Sequence, residues 1–303
     1  MLDDLPAARE VAEATDRLLL KANARYRFPT PVGDLVQAAG LTEAPGFIFS
    51  DIAIGQAPAH LLLLLRRVSG KVQGLLDRRS REVHIHPKIQ KDGHGRFVRL
   101  HEVSHDIFDW QRELGYVDTE MTLSHATKVM FEREANQGGS ELLFQRDVFR
   151  DVAAEYQTNI ASIVELSEKF GGSIRSTLRR FAETHRDPVA AVVLHRQPVT
   201  TIPLAFRRRE ALSSAAWRSR FGNPAGWPYV IRASQLDFIR IAAASVGKNP
   251  WEGQSYVVDR TGETVELSIE VLDNTYHLLV LIWVPKHRAQ LIRRRRVLAA
   301  SAS

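Results

Sequence analysis

Cysteine is absent from this chain of 303 residues. That absence excludes disulfide bonds, thiolate metal ligands and a cysteine-based redox switch, and it fits a reducing cytosol. Long apolar runs are also lacking: the longest run of leucines, Leu61 to Leu65, ends at two arginines and is far too short to span a bilayer. The start of the chain, Met1 to Asp4, is acidic and does not have the pattern of a signal peptide. We therefore expect a cytoplasmic protein that has no membrane partner.

Basic residues are in moderate excess, giving a formal net charge of +6 at pH 7. The hydrophobic share of 44% and the charged share of 25% are ordinary for a globular protein. Much of the excess lies in two arginine runs, at residues 207–209 and 293–296. Such runs either attract nucleic acid and acidic partners or form a solvated face. Composition therefore leaves direct DNA binding open without favouring it.

The main chemical signal is the run His101-Glu102-Val103-Ser104-His105. Residues four apart lie on one face of a helix, so His101 and His105 can bind one metal ion. Zinc with three protein ligands keeps an open position and lowers the pKa of its water to about 7. Glu102 can take the proton of that water as it attacks a carbonyl. The run predicts metal-assisted hydrolysis, most often of a peptide bond.

The neighbours of this run argue against a chance match on a solvent-exposed helix. Because most of them are apolar, we expect the helix to be buried, where histidine and glutamate need partners such as a metal. Asp106 is the exception, since zincin helices usually carry an uncharged residue after the second histidine. The apolar neighbours are Phe97, Val98, Leu100, Val103, Ile107, Phe108 and Trp110.

A catalytic zinc needs a third protein ligand. In a metzincin it would be a histidine six residues after His105, but Gln111 occupies that position. We therefore expect it on a second helix, with Ser124 as the N-cap and residues 128–146 as the body. Glu132 and Glu134 are both candidates on this helix.

Helical spacing favours Glu132 over Glu134. Residues one to three turns beyond Glu132 are small or apolar and those beyond Glu134 are mostly polar, so we expect Glu132 to face the core and Glu134 to face water. Glu132 is therefore the predicted ligand, with Glu134 as the alternative. Asn136, one turn later, is placed to hydrogen-bond a ligand. His125 is a further candidate ligand, although a polar residue at a helix start is the simpler interpretation.

These residues occur in an order that resembles the ImmA/IrrE family of metallopeptidases. The resemblance implies a gluzincin-like site, with His101, His105 and Glu132 as zinc ligands and Glu102 as the base. The chain departs from the family at Gly138-Gly139, where Phe-Ala is usual, and at Phe144-Gln145, where Met-Pro is usual. The similar segments, within roughly residues 25–185, are Phe28 to Leu41, Val83 to His86, Arg96 to Glu102, Glu132 to Leu143 and Leu166 to Ser173.

The resemblance also implies a biological role. Family members are typically intracellular proteases that cleave a helix-turn-helix repressor and so derepress a stress, defence or mobile-element operon. We expect zinc as the cofactor, although two histidines and a carboxylate also suit manganese. One alternative is a non-proteolytic regulator that binds DNA or a partner and keeps a residual metal site. Another is a peptidase that has no repressor as its substrate.

The predicted fold class is α+β, beginning with a zincin-like metallopeptidase domain at residues 1–150. A β-hairpin of residues 71–77 and 82–86 would lie beside the active helix. Its second strand is the candidate edge strand that would hold substrate by β-augmentation. The residues of that strand are Val83, His84, Ile85 and His86, with solvent the favoured direction for both histidines.

Two further parts follow. Residues 151–186 are predicted as a helix-turn-helix-like segment with a turn at Gly171-Gly172; a helical hairpin is favoured over DNA reading because no base-reading pattern is visible. Residues 187–303 are predicted as an α+β sensor or docking domain, consistent with a GAF-like domain. Helices are also predicted at 5–27, 32–39, 57–68 and 234–246. Strands are predicted at 46–53, 187–194, in the segment after Pro198, and at 229–231, 255–258, 265–272 and 276–284.

Overall fold

The computed structural model of the protein describes residues 6–47, 72–89, 93–117, 124–247 and 250–285. The described chain is a mixture of helices and strands, so the α+β class is confirmed. It divides into two compact units, Met1–Asp151 with Ser167–Ser173, and Val152–Leu166 with Ile174–Ser303. Within the ranges above, no helix has both the length and the apolar character that a bilayer span requires. The strand predicted at 46–53 lies mostly outside the described residues. The helix predicted at 57–68 lies wholly outside them.

The first unit contains five helices and three strands among its described residues before residue 144. The first helix is shorter than predicted, because Ala22 caps its end and Asn23 takes a positive φ of 47° that a helix does not continue. In chain order the elements are α1 (Ala8–Lys21), α2 (Val32–Ala38), β1 (Thr42–Glu43), β2 (Gly74–Asp77), β3 (Glu82–Ile85), α3 (Gly93–Ile107), α4 (Asp109–Val117) and α5 (His125–Leu143).

The predicted β-hairpin is confirmed, with β2 antiparallel to β3. The carboxylate of Asp77 fixes the turn by accepting from the backbone amides of Arg79 and Ser80 at 2.9 and 3.3 Å. Strand β1 pairs with β3 in parallel, so the strand order is β1-β3-β2. Strand β3 is therefore the central strand, and β2 is the edge strand of the described sheet.

Helix α5 packs closely against α3 through two glycines. The predicted N-cap is confirmed, since the Ser124 side chain accepts from the Thr127 amide. A Cβ on Gly138 would lie 2.6 Å from Ser104 Oγ and 2.6 Å from the Phe108 ring, and one on Gly139 would lie 3.1 Å from the backbone nitrogen of His101. These contacts show that the glycine pair allows α5 to approach the turn of α3 that carries the histidines.

The helical segment that follows is built largely as predicted. Its elements are α6 (Asp147–Ala153), α7 (Ile160–Phe170) and α8 (Ile174–Thr184), with Gly171 at φ 74° in the turn between the last two. The three arginines of α8 do not form an open basic face: Arg175 pairs with Glu210, Arg179 pairs with Glu183 at 3.3 Å, and Arg180 is buried.

The second unit is organised around a six-stranded antiparallel sheet in the order β6-β5-β4-β9-β8-β7. Every residue from Val189 to Leu194 is buried, because α8 contacts β4 and a cluster that includes Trp217, Phe238 and Ile239 packs against alternate residues of β4. The elements are β4 (Val189–Pro198), β5 (Ala205–Ser213), α9 (Ala215–Phe221), β6 (Val230–Arg232), α10 (Phe238–Ser245), β7 (Trp251–Val258), β8 (Thr264–Asp273) and β9 (His277–Trp283).

The predicted strands of this unit are present, with ends shifted by a few residues. A hairpin turn at Asp273 and Asn274 joins β8 to β9. Helix α9 was not predicted from the sequence; its signal is Ser214, whose hydroxyl accepts from the Trp217 amide as an N-cap.

Candidate metal centre

Three side chains meet at the contact of α3 and α5. His101 and His105 lie one turn apart on α3, with their Nε2 atoms 3.2 Å from each other. Glu132 reaches them from α5: its carboxylate oxygens lie 3.4 Å from His101 Nε2 and 3.6 Å from His105 Nε2. These residues form a group of ligand atoms that could hold a metal ion, all within 4.8 Å of one another.

The spacing of this group fits a tetrahedral metal ion. Bonds of about 2.1 Å to nitrogen and oxygen would place tetrahedral ligand atoms roughly 3.4 Å apart. The observed separations of 3.2, 3.4 and 3.6 Å are of this size, with the last two measured to different oxygens of the Glu132 carboxylate. Two imidazoles and one carboxylate also leave a fourth position for water or substrate, the arrangement typical of catalytic zinc sites. The residues present therefore fit a bound metal ion.

Glu102 lies on the wall of the same cleft. Enclosure in the cleft raises the pKa of this carboxyl above its usual range, although His101 and His105 oppose the rise and the Leu76 amide donates a hydrogen bond to it. A carboxylate with a raised pKa is a better proton acceptor near neutral pH than a solvated one.

The cleft has a volume of about 560 Å³ and is bounded by α3, α5 and the edge strand β2. Strand β2 comes very close to α3 at Gly74, where a Cβ would lie 2.4 Å from Val98 Cγ1 and 2.8 Å from Glu102 Oε1. Only glycine allows this approach without displacing the Glu102 carboxylate. The described lining residues are Val72, Gln73, Gly74, Leu75, Leu76, Arg78, His94, Phe97, Val98, His101, Glu102, His105, Glu132 and Asn136.

The prediction that residues 83–86 form the edge strand is wrong. β1 covers the outer side of β3, so Val83, His84 and Ile85 are buried in the middle of the sheet. His84 faces the interior rather than solvent, with Nδ1 3.0 Å from the carbonyl of Gly46. His86 follows the strand, and its Nδ1 accepts from the Lys88 amide at 3.2 Å. The strand on the cleft is β2, from Gly74 to Asp77.

The burial expected for the two glutamates is also reversed. Glu134 is 1% exposed, whereas the Glu132 side chain is 61% exposed. Spacing along α5 did not predict the burial of Glu134, because α5 is packed on two sides and α4 provides polar partners for this carboxylate. The structure nevertheless places Glu132, not Glu134, beside the histidines. The neighbouring imidazoles of His101 and His105 hold the pKa of its carboxyl well below its usual range.

Glu134 acts on the site through Gln111. The Glu134 carboxylate accepts from Trp110 Nε1 at 2.8 Å and from Gln111 Nε2 at 2.7 Å. Because Nε2 of Gln111 is the donor there, its Oε1 faces His105 Nδ1 at 2.7 Å as an acceptor. His105 is therefore protonated on Nδ1 and presents the lone pair of Nε2 to the candidate metal position beside His101 and Glu132. Sequence reasoning missed this role of Gln111, which it considered only as a departure from the metzincin pattern.

The remaining candidates have lesser roles. Asn136 lies on the cleft, but its amide donates to the backbone carbonyl of Glu132 at 2.6 Å rather than to a ligand side chain. His125 is exposed at the start of α5 and is outside the metal group. Nδ1 of His101 is buried and has no hydrogen-bond partner among the described residues.

Asp106, the unexpected charge beside His105, has a structural partner. It is 2% exposed, and both of its carboxylate oxygens accept from the Arg81 guanidinium. Arg81 also donates to the carbonyls of Ala39 and Gly40. The hairpin turn is thereby fastened to the end of α3 and to the end of α2.

No protein-family model matches the chain, and no curated protein matches it in sequence. Among solved structures, its fold is similar to that of a Mycobacterium tuberculosis transcriptional regulator, with a TM-score of 0.51. The similarity covers 93% of this chain and 90% of that one, at 12% sequence identity. At that identity, the similarity concerns the fold alone.

Proposed function

We propose that the chain is a zincin-like metallopeptidase whose metal ion is bound by His101, His105 and Glu132. The observation that carries this proposal is the convergence of two imidazoles and one carboxylate, with ligand atoms within 4.8 Å of one another, in a cleft that Glu102 also lines. A zinc ion, or manganese in its place, would polarise a carbonyl and lower the pKa of water at the open position.

The other residues of the cleft have defined tasks in this proposal. Glu102 accepts the proton of the attacking water and then delivers it to the leaving amine. Gln111 fixes the ring of His105, so that Nε2 stays directed at the metal position. Strand β2 pairs with an extended segment of the substrate, since it is an edge strand of the described sheet and lines the cleft.

We further propose that the substrate is a helix-turn-helix repressor, and that cleavage derepresses a stress, defence or mobile-element operon in the cytoplasm. The support is the resemblance to the ImmA/IrrE family through His101 to His105 and Glu132 to Asn136. A regulatory role also agrees with the name of the M. tuberculosis protein of similar fold. The antiparallel sheet of the second unit would then serve as a GAF-like sensor or a docking surface for the repressor.

Metal analysis of the purified protein tests the site. We expect about one zinc per chain in the wild type and in His125→Ala, and none in His101→Ala or Glu132→Ala. His125→Ala is the matched control because it removes an exposed histidine from the same helix as Glu132. Absence of stoichiometric metal from the wild type, even after zinc is added back, would sink the proposal.

Glu102→Gln tests the chemistry separately from the metal. This variant keeps all three ligands but lacks the proton acceptor, so it should retain zinc and lose cleavage by at least about 10²-fold. Full activity of Glu102→Gln would show that another group is the base.

A non-proteolytic regulator that binds DNA is the second candidate, but the internal pairing of Arg175 and Arg179 on α8 disfavours it. Duplex binding by Glu102→Gln protein that weakens steeply with salt would favour this candidate instead.

A further inference from the structure

Two arginines of the hairpin turn are half-buried, and they differ in their partners. Arg81 makes a two-pronged ion pair with Asp106. Arg78 lines the metal cleft and has no carboxylate partner among the described residues. Its Nη2 makes one long contact, 3.4 Å, to the carbonyl of His105. Its Nε is buried and has no hydrogen-bond partner in the described part of the chain.

Among the described residues, this arrangement leaves a strong donor unsatisfied beside the site. A guanidinium stays protonated at any physiological pH and carries five N–H donors in one plane. Burying such a group without a partner is costly, and a charge-assisted hydrogen bond to an anion would offset that cost. The backbone of the turn that carries Arg78 is held by the Asp77 carboxylate, which accepts from the amides of Arg79 and Ser80.

We propose that Arg78 donates a hydrogen bond to the oxygen of the scissile carbonyl as that oxygen becomes negatively charged. The proposal rests on the function proposed above. Arg78 Nη2 contacts the backbone carbonyl of His105, and Arg78 lines the same cleft as Glu102 and the two histidines. Glu102 and Arg78 then provide the proton acceptor and the oxyanion donor of one cleft.

The step balances without a further reactant. The water oxygen adds to the carbonyl carbon, its proton passes to Glu102, and the carbonyl π pair moves to the oxygen that accepts from Arg78. When that pair returns, the C–N bond breaks and Glu102 delivers the proton to the leaving nitrogen. Arg78 gives up no proton, and one water is consumed.

The test compares Arg78→Ala and Arg78→Lys with Arg79→Ala. Arg79 is the adjacent residue, is exposed and is outside the cleft lining, so its removal deletes the same charge from the same turn. With zinc-loaded protein and a pool of fluorogenic peptides, Arg78→Ala should lower kcat by about 10²- to 10³-fold with little change in KM. Arg78→Lys should recover part of that loss, and Arg79→Ala should resemble the wild type. Zinc content and melting temperature should be unchanged in all three.

Binding of a phosphinic pseudopeptide gives a readout that does not depend on turnover. Its tetrahedral anion mimics the charged oxygen of the reacting carbonyl. Calorimetry should show that its affinity for Arg78→Ala is at least about tenfold lower than for the wild type, and that its affinity for Arg79→Ala is unchanged. A rise in KM alone, or equal losses in Arg78→Ala and Arg79→Ala, would overturn the assignment of Arg78. A wild type that holds no zinc and cleaves no peptide would overturn the proposed function and this assignment together.

Discussion

Gln111 and His105 are joined by a hydrogen bond of 2.7 Å, although Gln111 lies on α4 and His105 lies on α3. The amide of Gln111 can accept from His105 because its nitrogen donates to the buried carboxylate of Glu134. A residue on each of three helices therefore determines which imidazole nitrogen faces the metal position. Loss of a partner of this kind typically lowers metal affinity by about 10- to 100-fold.

The first prediction concerns this hydrogen-bonded chain. Gln111→Ala should lower zinc affinity by roughly 10- to 100-fold without removing a ligand, because His105 loses the acceptor that fixes its tautomer. Competition with a chromophoric chelator measures the affinity. Gln137→Ala is the matched control, since Gln137 bonds Glu141 on α5 and does not contact the site. Equal zinc affinity in the wild type and Gln111→Ala would contradict the role assigned to Gln111.

The second prediction concerns Gly138 at the helix contact. A methyl group there would lie 2.6 Å from Ser104 Oγ and from the Phe108 ring, both fully buried. Overpacking costs about 1–3 kcal/mol, which exceeds the roughly 1 kcal/mol that alanine gains over glycine in a helix. Gly138→Ala should therefore lower the free energy of unfolding by up to about 2 kcal/mol in urea denaturation.

Gly33→Ala is the control for Gly138→Ala. Gly33 is also helical, but nothing lies within 4 Å of the position of its Cβ. This variant should be as stable as the wild type or slightly more stable. If Gly138→Ala behaved in the same way, the close approach of α5 to α3 would not be a packing requirement.

Features that depend on neighbours in the sequence were predictable. The spacing of His101 and His105 places both on one face of α3. Two short strand-like segments separated by a turn predict the hairpin of β2 and β3. The N-cap Ser124 fixed the start of α5 to within a few residues. Each of these inferences needs only a short window of residues.

Features that depend on distant contacts were not predictable. Glu134 is buried because Trp110 and Gln111 from another helix satisfy its carboxylate, which spacing along α5 does not reveal. Likewise, β3 is central only because the two-residue strand β1 pairs with its outer side. The location of Glu132 beside the histidines was expected from a burial argument that the structure reverses.

The third prediction is an asymmetry within the pair of Arg81 and Asp106. Arg81→Ala leaves the buried Asp106 carboxylate without its cation, a change that costs about 3 kcal/mol or more in buried pairs. Asp106→Asn should cost less, because the Arg81 side chain is 36% exposed and can be solvated. Urea denaturation measures both, with Arg79→Ala as an exposed control expected within about 0.5 kcal/mol of the wild type. A larger loss in Asp106→Asn would contradict this account.

The fourth prediction is a pH dependence in the loop between β7 and β8. The carboxylate of Asp259 accepts from Arg220 Nε at 2.8 Å, from the Thr261 hydroxyl at 2.7 Å and from two backbone amides. The Arg220 hydrogen bond is the main reason that the pKa of Asp259 lies well below its ordinary value of 3.8. A lowered pKa in the folded state means that ionisation favours folding.

The stability that Asp259 contributes should therefore be complete above about pH 5 and should decline as the pH falls below about 4, toward the lowered pKa of the folded state. Asp259→Asn should be less stable than the wild type at pH 7, and the difference should shrink between pH 4 and pH 2.5. Thermal unfolding at pH values across this range measures the difference in stability between the two proteins. Glu252→Gln, which changes an exposed carboxylate on β7, should alter stability little at either end of the range. A difference between the wild type and Asp259→Asn that stays constant down to pH 2.5 would show that the carboxylate charge is not what stabilises this loop.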